Sequence, residues 1–286
     1  MKKRMITAIV ALIVFIPVLI FADTWALPIV ASTASVIACF EIFSCIGQKK
    51  NVIFTLPTYV VAAIFPLLTR VTYNYNYEFI SHYDFLKLSL AVAVIAPLYM
   101  FAVAVFQSKT LSVNDAGLAA FSCFYIIAAL TSLVYIHDFA ALGKYVYLLC
   151  FLCAWITDSF AYFTGMLFGK HKLIPEVSPK KTIEGAIGGI VFCSISMVVF
   201  GLIIENFFNP ENTFHANYLV LAISGIVISV ISQIGDLIMS LIKRKYQIKD
   251  FGKIFPGHGG VLDRCDSVLA VSLAIAFITS YFNMFS

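Results

Sequence analysis

Carboxylates and cations gather around a glycine-rich turn near the end of the chain. Asp236, Ser240 and Lys243 have i, i+4 and i+7 spacing, which places them on one stripe of a helix. Asp263 and Asp266 are three residues apart, so both carboxylates share one face at the start of the next helix. Mg²⁺ prefers one or two carboxylates together with phosphate oxygens and water. The pattern therefore predicts a site in which a divalent metal holds a polyphosphate.

The turn itself favours anion binding. Residues 256–260 read Pro-Gly-His-Gly-Gly, and glycine tolerates the backbone conformations that bring amide groups close to an anion. Lysine and arginine can cover the remaining phosphate charge. Five such residues flank the turn: Lys243, Arg244, Lys249, Lys253 and Arg264.

A plain alternative exists for this segment, namely a basic loop whose Asp residues cap the following helix. It accounts for one carboxylate but not for Asp236, which is expected inside the hydrocarbon. An unpaired charge there costs roughly 2.5–3.5 kcal/mol on insertion scales. We therefore prefer the interpretation of this segment as a site for a divalent metal and a polyphosphate.

A second polar cluster lies earlier in the chain. Asp158 falls well within a long apolar segment, where an ionisable residue indicates function. The segment Ser178-Pro-Lys-Lys-Thr182 looks like the entry to a helix, whose first amides and dipole attract phosphate. Helix capping and contact with lipid headgroups explain that segment equally well.

The composition indicates an integral membrane protein. Of the 286 residues, 61% are hydrophobic and 12% are charged, whereas an ordinary soluble domain has about 25% charged residues. A water-soluble globule of this size could not hide so much apolar surface. The same figures exclude a disordered chain, a collagen and a disulfide scaffold, and the seven scattered Cys residues predict no zinc site.

Apolar segments of about 20 residues, long enough to cross roughly 30 Å of hydrocarbon as helices, recur along the chain. They lie near 5–22, 25–47, 52–71, 86–107, 115–136, 144–168, 183–204, 217–240 and 266–283. We therefore predict an all-α, polytopic integral membrane helical bundle with about nine transmembrane helices. The first segment exceeds the apolar core of a signal peptide and a second span follows at once, so we expect it to be retained.

The distribution of cations predicts the orientation. With a cytoplasmic N-terminus and alternating crossings, all but three of the 19 Lys and Arg residues fall on one side. The exceptions are Arg70, Lys87 and Lys144. We predict a strongly basic cytoplasmic face that includes the two longer polar loops, 169–182 and 241–265.

The two parts of the chain are expected to differ in role. Residues 1–107 would form membrane helices that serve as a scaffold or as oligomer contacts, which makes a homodimer a candidate assembly. Residues 108–286 would form the catalytic membrane domain. Glu41, near the end of the second span, is expected to play a structural role by pairing with Lys49 or a neighbouring helix.

The motifs resemble those of the CDP-diacylglycerol synthases, also called phosphatidate cytidylyltransferases. Residues 240–266 contain K-R, K-D, H-G-G and D-R-x-D in the order of that family's signature. The elements W-x-x-D-S-x-A-Y-x-x-G at 155–165 and S-P-K-K-T-x-E-G at 178–185 are similar to its other two motifs. Cys265 departs from the family pattern, which has an aliphatic residue or Thr there, and we expect little effect from it.

The resemblance implies a reaction in which CTP and phosphatidate give CDP-diacylglycerol and pyrophosphate, as in phospholipid biosynthesis. It also implies a requirement for Mg²⁺, with a second cation plausible beside several carboxylates. The partners would be CTP and phosphatidate in the bilayer, with no nucleic acid. The active site of this multi-pass protein would lie at the cytoplasmic face.

The family analogy also assigns residues. Asp263 and Asp266 would bind metal with Asp236 facing them, and Asp158 would complete this set or only orient a ligand or a lysine. Lys243 and Arg264 would act in catalysis beside these carboxylates. The residues expected to bind the phosphates or shape the nucleotide pocket are Ser178, Lys180, Lys181, Thr182, Arg244, Lys249, His258, Gly259 and Gly260.

Two alternatives remain open at the level of sequence. An ion-coupled membrane transporter would also bury aspartates, although its site should lie near the membrane midplane between repeated halves. A related CTP-dependent polyprenol kinase could have similar polar loops.

Overall fold

The computed structural model describes residues 13, 16–74, 80–140, 142–208, 213–255 and 259–285. Its helices are α1 (Ala26–Cys45), α2 (Val52–Tyr73), α3 (His82–Phe106), α4 (Val113–Phe139), α5 (Gly143–Val146), α6 (Leu149–Phe168), α7 (Ile183–Phe207), α8 (Tyr218–Lys245) and α9 (Leu262–Tyr281). Its strands are β1 (Lys172–Ile174) and β2 (Ser178–Thr182), which pair antiparallel. The prediction of an all-α polytopic membrane bundle is confirmed.

Within the described ranges, seven helical segments are long and apolar enough to cross a bilayer. These are α1, α2, α3, α4, α5 together with α6, α7 and α8. Helices suit this role because they satisfy their own backbone hydrogen bonds, for which hydrocarbon offers no partner. The predicted first span, 5–22, lies mostly outside the described residues, and α9 corresponds to the predicted last span. The number of nine crossings and the cytoplasmic N-terminus stay predictions.

The chain forms two compact units. The first comprises residues Met1–Phe139 and Tyr246–Cys265, and in it α1 packs against α2 and α4, while α3 packs against α2 and α4. The second comprises Ala140–Lys245 and Asp266–Ser286, and in it α7 packs against α6 and α8. The functional division at residue 107 stays a prediction.

A short β-hairpin replaces part of the loop that the sequence predicted at 169–182. Lys172 pairs with Thr182 and Ile174 pairs with Ser178, and the strand ends directly at the start of α7. Neither strand shows the alternation of apolar and polar residues by which a half-buried strand is recognised. The hairpin fixes the direction in which the side chains of Lys180 and Lys181 point.

A buried ion network ties the helices of the first unit together. Arg70 on α2 is 1% exposed, and its Nε lies 3.0 Å from Asp138 Oδ2 on α4. Its Nη1 and Nη2 donate to the carbonyl oxygens of Asp23 and Ala22, at 3.0 and 2.7 Å. Asp138 also accepts from His137, whose Nδ1 lies 2.7 Å from Asp138 Oδ1. One carboxylate and two backbone carbonyl oxygens therefore compensate for the burial of this guanidinium group.

We predict that Arg70→Met destabilises the protein by about 3–5 kcal/mol, because it leaves the buried carboxylate of Asp138 without its cation. The measurement is unfolding by SDS titration of the purified protein in mild detergent. Lys87→Met is the control, since Lys87 pairs with Asp84 on an exposed surface and its loss should change stability little. Equal shifts in the two variants would contradict this view of the network.

Candidate active site

Three of the predicted aspartates come together within the second unit. Asp158 lies on α6, Asp236 on α8 and Asp266 near the start of α9. Asp158 Oδ2 accepts a hydrogen bond from Ser267 Oγ at 2.9 Å, which places it beside the residue that follows Asp266. The charge of Asp236 acts on both other carboxylates, and Asp158 acts on Asp266. Three helices therefore contribute to one acidic cluster.

Two lysines offset part of this negative charge. Lys181 on β2 forms an ion pair with Asp236 Oδ2, and both side chains are about one quarter exposed, at 24% and 23%. The ammonium group of Lys181 also attracts Asp158. Lys243, two turns along α8 from Asp236, attracts Asp266. The cluster thus combines three carboxylates with two cations, so its formal charge is negative.

The hairpin explains why Lys181 rather than Lys180 joins the cluster. Successive side chains of a strand point to opposite faces, and Lys180 is exposed while Lys181 is half-buried. Thr182, the next residue, is buried and caps α7, since its Oγ1 accepts from the amide of Gly185 at 3.1 Å. Ser178 is half-buried and begins the strand. The helix-capping interpretation of this segment therefore holds for Thr182.

Close packing of α6 on α7 holds Asp158 near the hairpin. A Cβ atom on Gly185 would lie 2.5 Å from the carbonyl oxygen of Ala161, and one on Gly188 would lie 2.1 Å from Thr164 Oγ1. Only glycine fits such an approach. Gly165 on α6 meets Thr182 in the same way, at 2.7 Å.

We predict that Lys181→Met lowers kcat/KM for the nucleotide about 10²-fold, the loss typical of removing one charge-stabilising donor from an active site. Lys181→Arg, which keeps the charge, should recover most of that loss. Lys172→Met on the exposed neighbouring strand is the control and should change the rate little. Equal rates for Lys181→Met and Lys172→Met would exclude Lys181 from the site.

Asp263 has a different environment, within the first unit. Its side chain is 7% exposed, and its Oδ2 accepts from the amides of Phe251 and Gly260 at 2.8 and 2.9 Å. Asp263 therefore holds the loop that precedes α9. One amide of the glycine-rich turn, that of Gly260, thus faces a carboxylate of the protein, which differs from our expectation that the turn would present its amides to phosphate.

The other predicted residues are placed as follows. Arg244 is exposed, and its Nε donates to the carbonyl oxygen of Val177 in the hairpin turn at 3.3 Å. Lys249 and Arg264 are also exposed. Gly259 has φ +91°, a left-handed conformation that favours glycine. His258 lies outside the described residues.

The loop between α8 and α9 is anchored at its beginning by Tyr246. The Tyr246 hydroxyl donates to a carboxylate oxygen of Asp115 at the start of α4. Burial, together with this acidic neighbour, raises the pKa of Tyr246, so the hydroxyl remains a donor at physiological pH. No local sequence pattern indicates this contact, because the two partners are 131 positions apart.

Glu41 on α1 contacts the start of another helix of the first unit. Glu41 is 2% exposed, and its carboxylate accepts from the amides of Val261 and Leu262 at the start of α9. Lys49 or a neighbouring helix was the expected partner, and the alternative of a neighbouring helix is confirmed, since Leu262 is the first residue of α9. The sequence did not indicate which helix or which amides. Ser267, the partner of Asp158, was missed as well, since a serine next to an aspartate is an ordinary feature.

In the part of the chain that the structure describes, no three His, Cys, Asp or Glu side chains are arranged closely enough to hold a metal ion. Carboxylates of the same charge repel one another. Within the cluster, Lys181 forms its ion pair with Asp236. The structure does bring together suitable donor groups, namely three carboxylate side chains with a negative formal charge.

Comparisons with known proteins agree with the motifs. The profile of the Cytidylyltransferase family matches residues 2–282. The phosphatidate cytidylyltransferase of Bacillus subtilis (strain 168) is 32% identical over 284 residues, covering 99% of each chain. Proteins of the same name from Staphylococcus haemolyticus (strain JCSC1435) and Staphylococcus epidermidis (strain ATCC 12228 / FDA PCI 1200) are 33% and 34% identical over 271 residues, covering 95% of this chain and 96% of each relative. The chain therefore belongs to the cytidylyltransferase family and is a nucleotidyltransferase.

Proposed function

We propose that this protein transfers the cytidylyl group of CTP to phosphatidate, forming CDP-diacylglycerol and releasing pyrophosphate. The observation that carries the proposal is the convergence of Asp158, Asp236 and Asp266 with Lys181. It occurs in a chain that matches phosphatidate cytidylyltransferases over nearly its full length. A cluster of carboxylates and cations suits the handling of a polyphosphate.

The chemistry requires positioning more than acid–base catalysis. A phosphate oxygen of phosphatidate attacks the α-phosphorus of CTP, and the bond from that phosphorus to the pyrophosphate oxygen breaks. Pyrophosphate leaves with the bonding electrons. The nucleophile is already an anion, so a strong general base is unnecessary. The difficulty is that two polyanions must approach, and the protein must neutralise and orient them.

The cations of the cluster are suited to this task. Lys181 and Lys243 lie beside the carboxylates of the cluster. Both lysines can therefore contact the phosphate oxygens of a substrate bound at the cluster. Arg244, Lys249 and Arg264 are exposed and can neutralise the phosphates of CTP or of the lipid. The remaining predicted contacts of the substrates are Ser178, Lys180, Thr182, His258, Gly259 and Gly260. Thr182 also caps α7.

The donor chemistry of the acidic cluster suits a magnesium ion. Mg²⁺ prefers carboxylate oxygens combined with substrate phosphate and water, and the two lysines balance only part of the charge of the three carboxylates. We propose that Asp158, Asp236 and Asp266 hold Mg²⁺ together with Asp263, and that a second cation is compatible with so many carboxylates. When bound, the metal would neutralise the polyphosphate and polarise it as a Lewis acid.

We place the active site at the cytoplasmic face of the membrane. The support is the cation distribution, in which all but three of the 19 Lys and Arg residues fall on the side of the two polar loops. CTP is soluble and phosphatidate carries its headgroup at the bilayer surface, so the two meet there. The homodimer remains a prediction, which light scattering of the purified protein can check.

Two labelled nucleotides test the proposed function. Purified protein receives phosphatidate and CTP labelled on the α-phosphorus, with and without EDTA. Lipid-linked CMP and equimolar pyrophosphate, both lost with EDTA, are expected. With CTP labelled on the γ-phosphorus and a polyprenol, label on the polyprenol would instead indicate a kinase. Ion uptake into vesicles without nucleotide turnover would indicate a transporter, and either result would overturn the proposal.

A further inference from the structure

A buried carboxylate from α1 binds the start of α9 within the first unit. Glu41 Oε1 accepts from the amide of Val261 at 3.0 Å, and Glu41 Oε2 accepts from the amide of Leu262 at 2.9 Å. These are among the amides at a helix N-terminus that have no partner inside the helix. Each carboxylate oxygen therefore satisfies one of them.

Two glycines shape the loop around this carboxylate. A Cβ atom on Gly252 or on Gly260 would lie 2.1 Å from Glu41 Oε1, far inside van der Waals contact. Both residues belong to the segment between α8 and α9 that carries the strongest family motif. The loop thus approaches Glu41 from two positions at which any side chain would collide with it.

Asp263 completes the arrangement from the other side. Its Oδ2 accepts from the amides of Phe251 and Gly260, so two buried carboxylates together bind four backbone amides. Glu41 is 2% exposed and Asp263 is 7% exposed. Because these carboxylates lie in a buried environment, their hydrogen bonds to the amides are strong. The loop and the first turn of α9 are therefore held as one piece.

We propose that Glu41 is a positioning residue for cytidylyl transfer, holding the first turn of α9 and with it Asp263 in the geometry that the reaction needs. The inference rests on the proposed function. Glu41 is engaged with backbone amides, so it acts through Asp263 and the loop and not on the substrates. Misplacing a catalytic group by about 1 Å can cost about 10²-fold in rate.

The test compares Glu41→Gln and Glu41→Asp with the wild-type protein. Glutamine keeps the volume but offers one oxygen and one NH₂ group to two amide donors, so one hydrogen bond is lost. We expect kcat to fall about 10²-fold with a smaller change in KM for CTP. Hydrogen exchange of the amides of residues 259–262 should become at least about tenfold faster. Glu41→Asp, which keeps the charge and both acceptors, should recover part of the rate.

Glu205→Gln is the matched control. Glu205 Oε2 also accepts a backbone amide, that of Ala216 at 3.3 Å, but it lies outside the proposed site. It should keep the wild-type kcat. Gly252→Ala serves as a second variant, because its Cβ displaces the carboxylate without changing Glu41 itself, and it decides the question if Glu41→Gln does not fold.

The proposal is overturned if Glu41→Gln, or Gly252→Ala in its place, keeps more than half of the wild-type kcat, or if it slows the reaction without any change in exchange at residues 259–262. Failure of the proposed function looks different. In that case the wild-type protein itself forms no CDP-diacylglycerol, whereas here the wild type is active and only the effect of the variant is missing.

Discussion

Asp266→Asn is expected to abolish turnover while the protein still inserts and folds. Asp266 interacts electrostatically with Asp236, Asp158 and Lys243, so it belongs to the acidic cluster. Asparagine has the same shape but no charge. A bound metal contributes several kcal/mol of transition-state stabilisation. Loss of one of its ligands therefore corresponds to a fall in kcat of about 10³-fold.

The measurement is formation of lipid-linked CMP from labelled CTP, with size-exclusion chromatography as the check on folding. Asp84→Asn is the control, because this carboxylate is exposed on α3 of the first unit and its loss should leave kcat unchanged. If Asp266→Asn retained near-normal activity, the assignment of Asp266 to the metal would be wrong.

Asp263→Asn is the second variant for which we expect loss of turnover. Asp263 Oδ2 accepts both amide hydrogen bonds described above, and the carbonyl oxygen of asparagine can take the place of that atom. The loop should therefore persist in Asp263→Asn. A role limited to binding these amides predicts a modest change, whereas a role as metal ligand predicts a fall of about 10³-fold.

Hydrogen exchange separates these two roles. We expect amides of residues 251 and 260 to exchange nearly as in the wild type while product formation is lost. Unimpaired catalysis by Asp263→Asn with the same exchange would assign Asp263 to the loop alone. The metal would then have Asp158, Asp236 and Asp266 as its only proposed protein ligands.

Much of the architecture could be predicted because the bilayer limits the choices. Long apolar segments must become helices in hydrocarbon, and the predicted segments 52–71 and 183–204 correspond to α2 (Val52–Tyr73) and α7 (Ile183–Phe207). Asp158 and Asp236 could be recognised from the sequence because a charged side chain inside the membrane is costly, and only a function or a partner compensates for that cost. The structure brings both into one cluster.

What could not be predicted depends on contacts between distant residues. The sequence left open whether Asp158 joins the other aspartates, because this depends on contacts such as its hydrogen bond with Ser267, which bridges 109 residues. The contact of Glu41 with Leu262 bridges 221 residues. No local pattern encodes such pairs. The hairpin escaped prediction because its strands are only three and five residues long.

Binding of Mn²⁺ shows whether aspartates from separate helices form one metal site. Mn²⁺ accepts the same oxygen ligands as Mg²⁺, and electron paramagnetic resonance counts the ions bound in the presence of a non-hydrolysable CTP analogue. We predict a bound ion in the wild type and in Asp84→Asn, with binding lost in both Asp236→Asn and Asp266→Asn. Unchanged Mn²⁺ affinity in these last two variants would mean that Asp236 and Asp266 do not bind the metal.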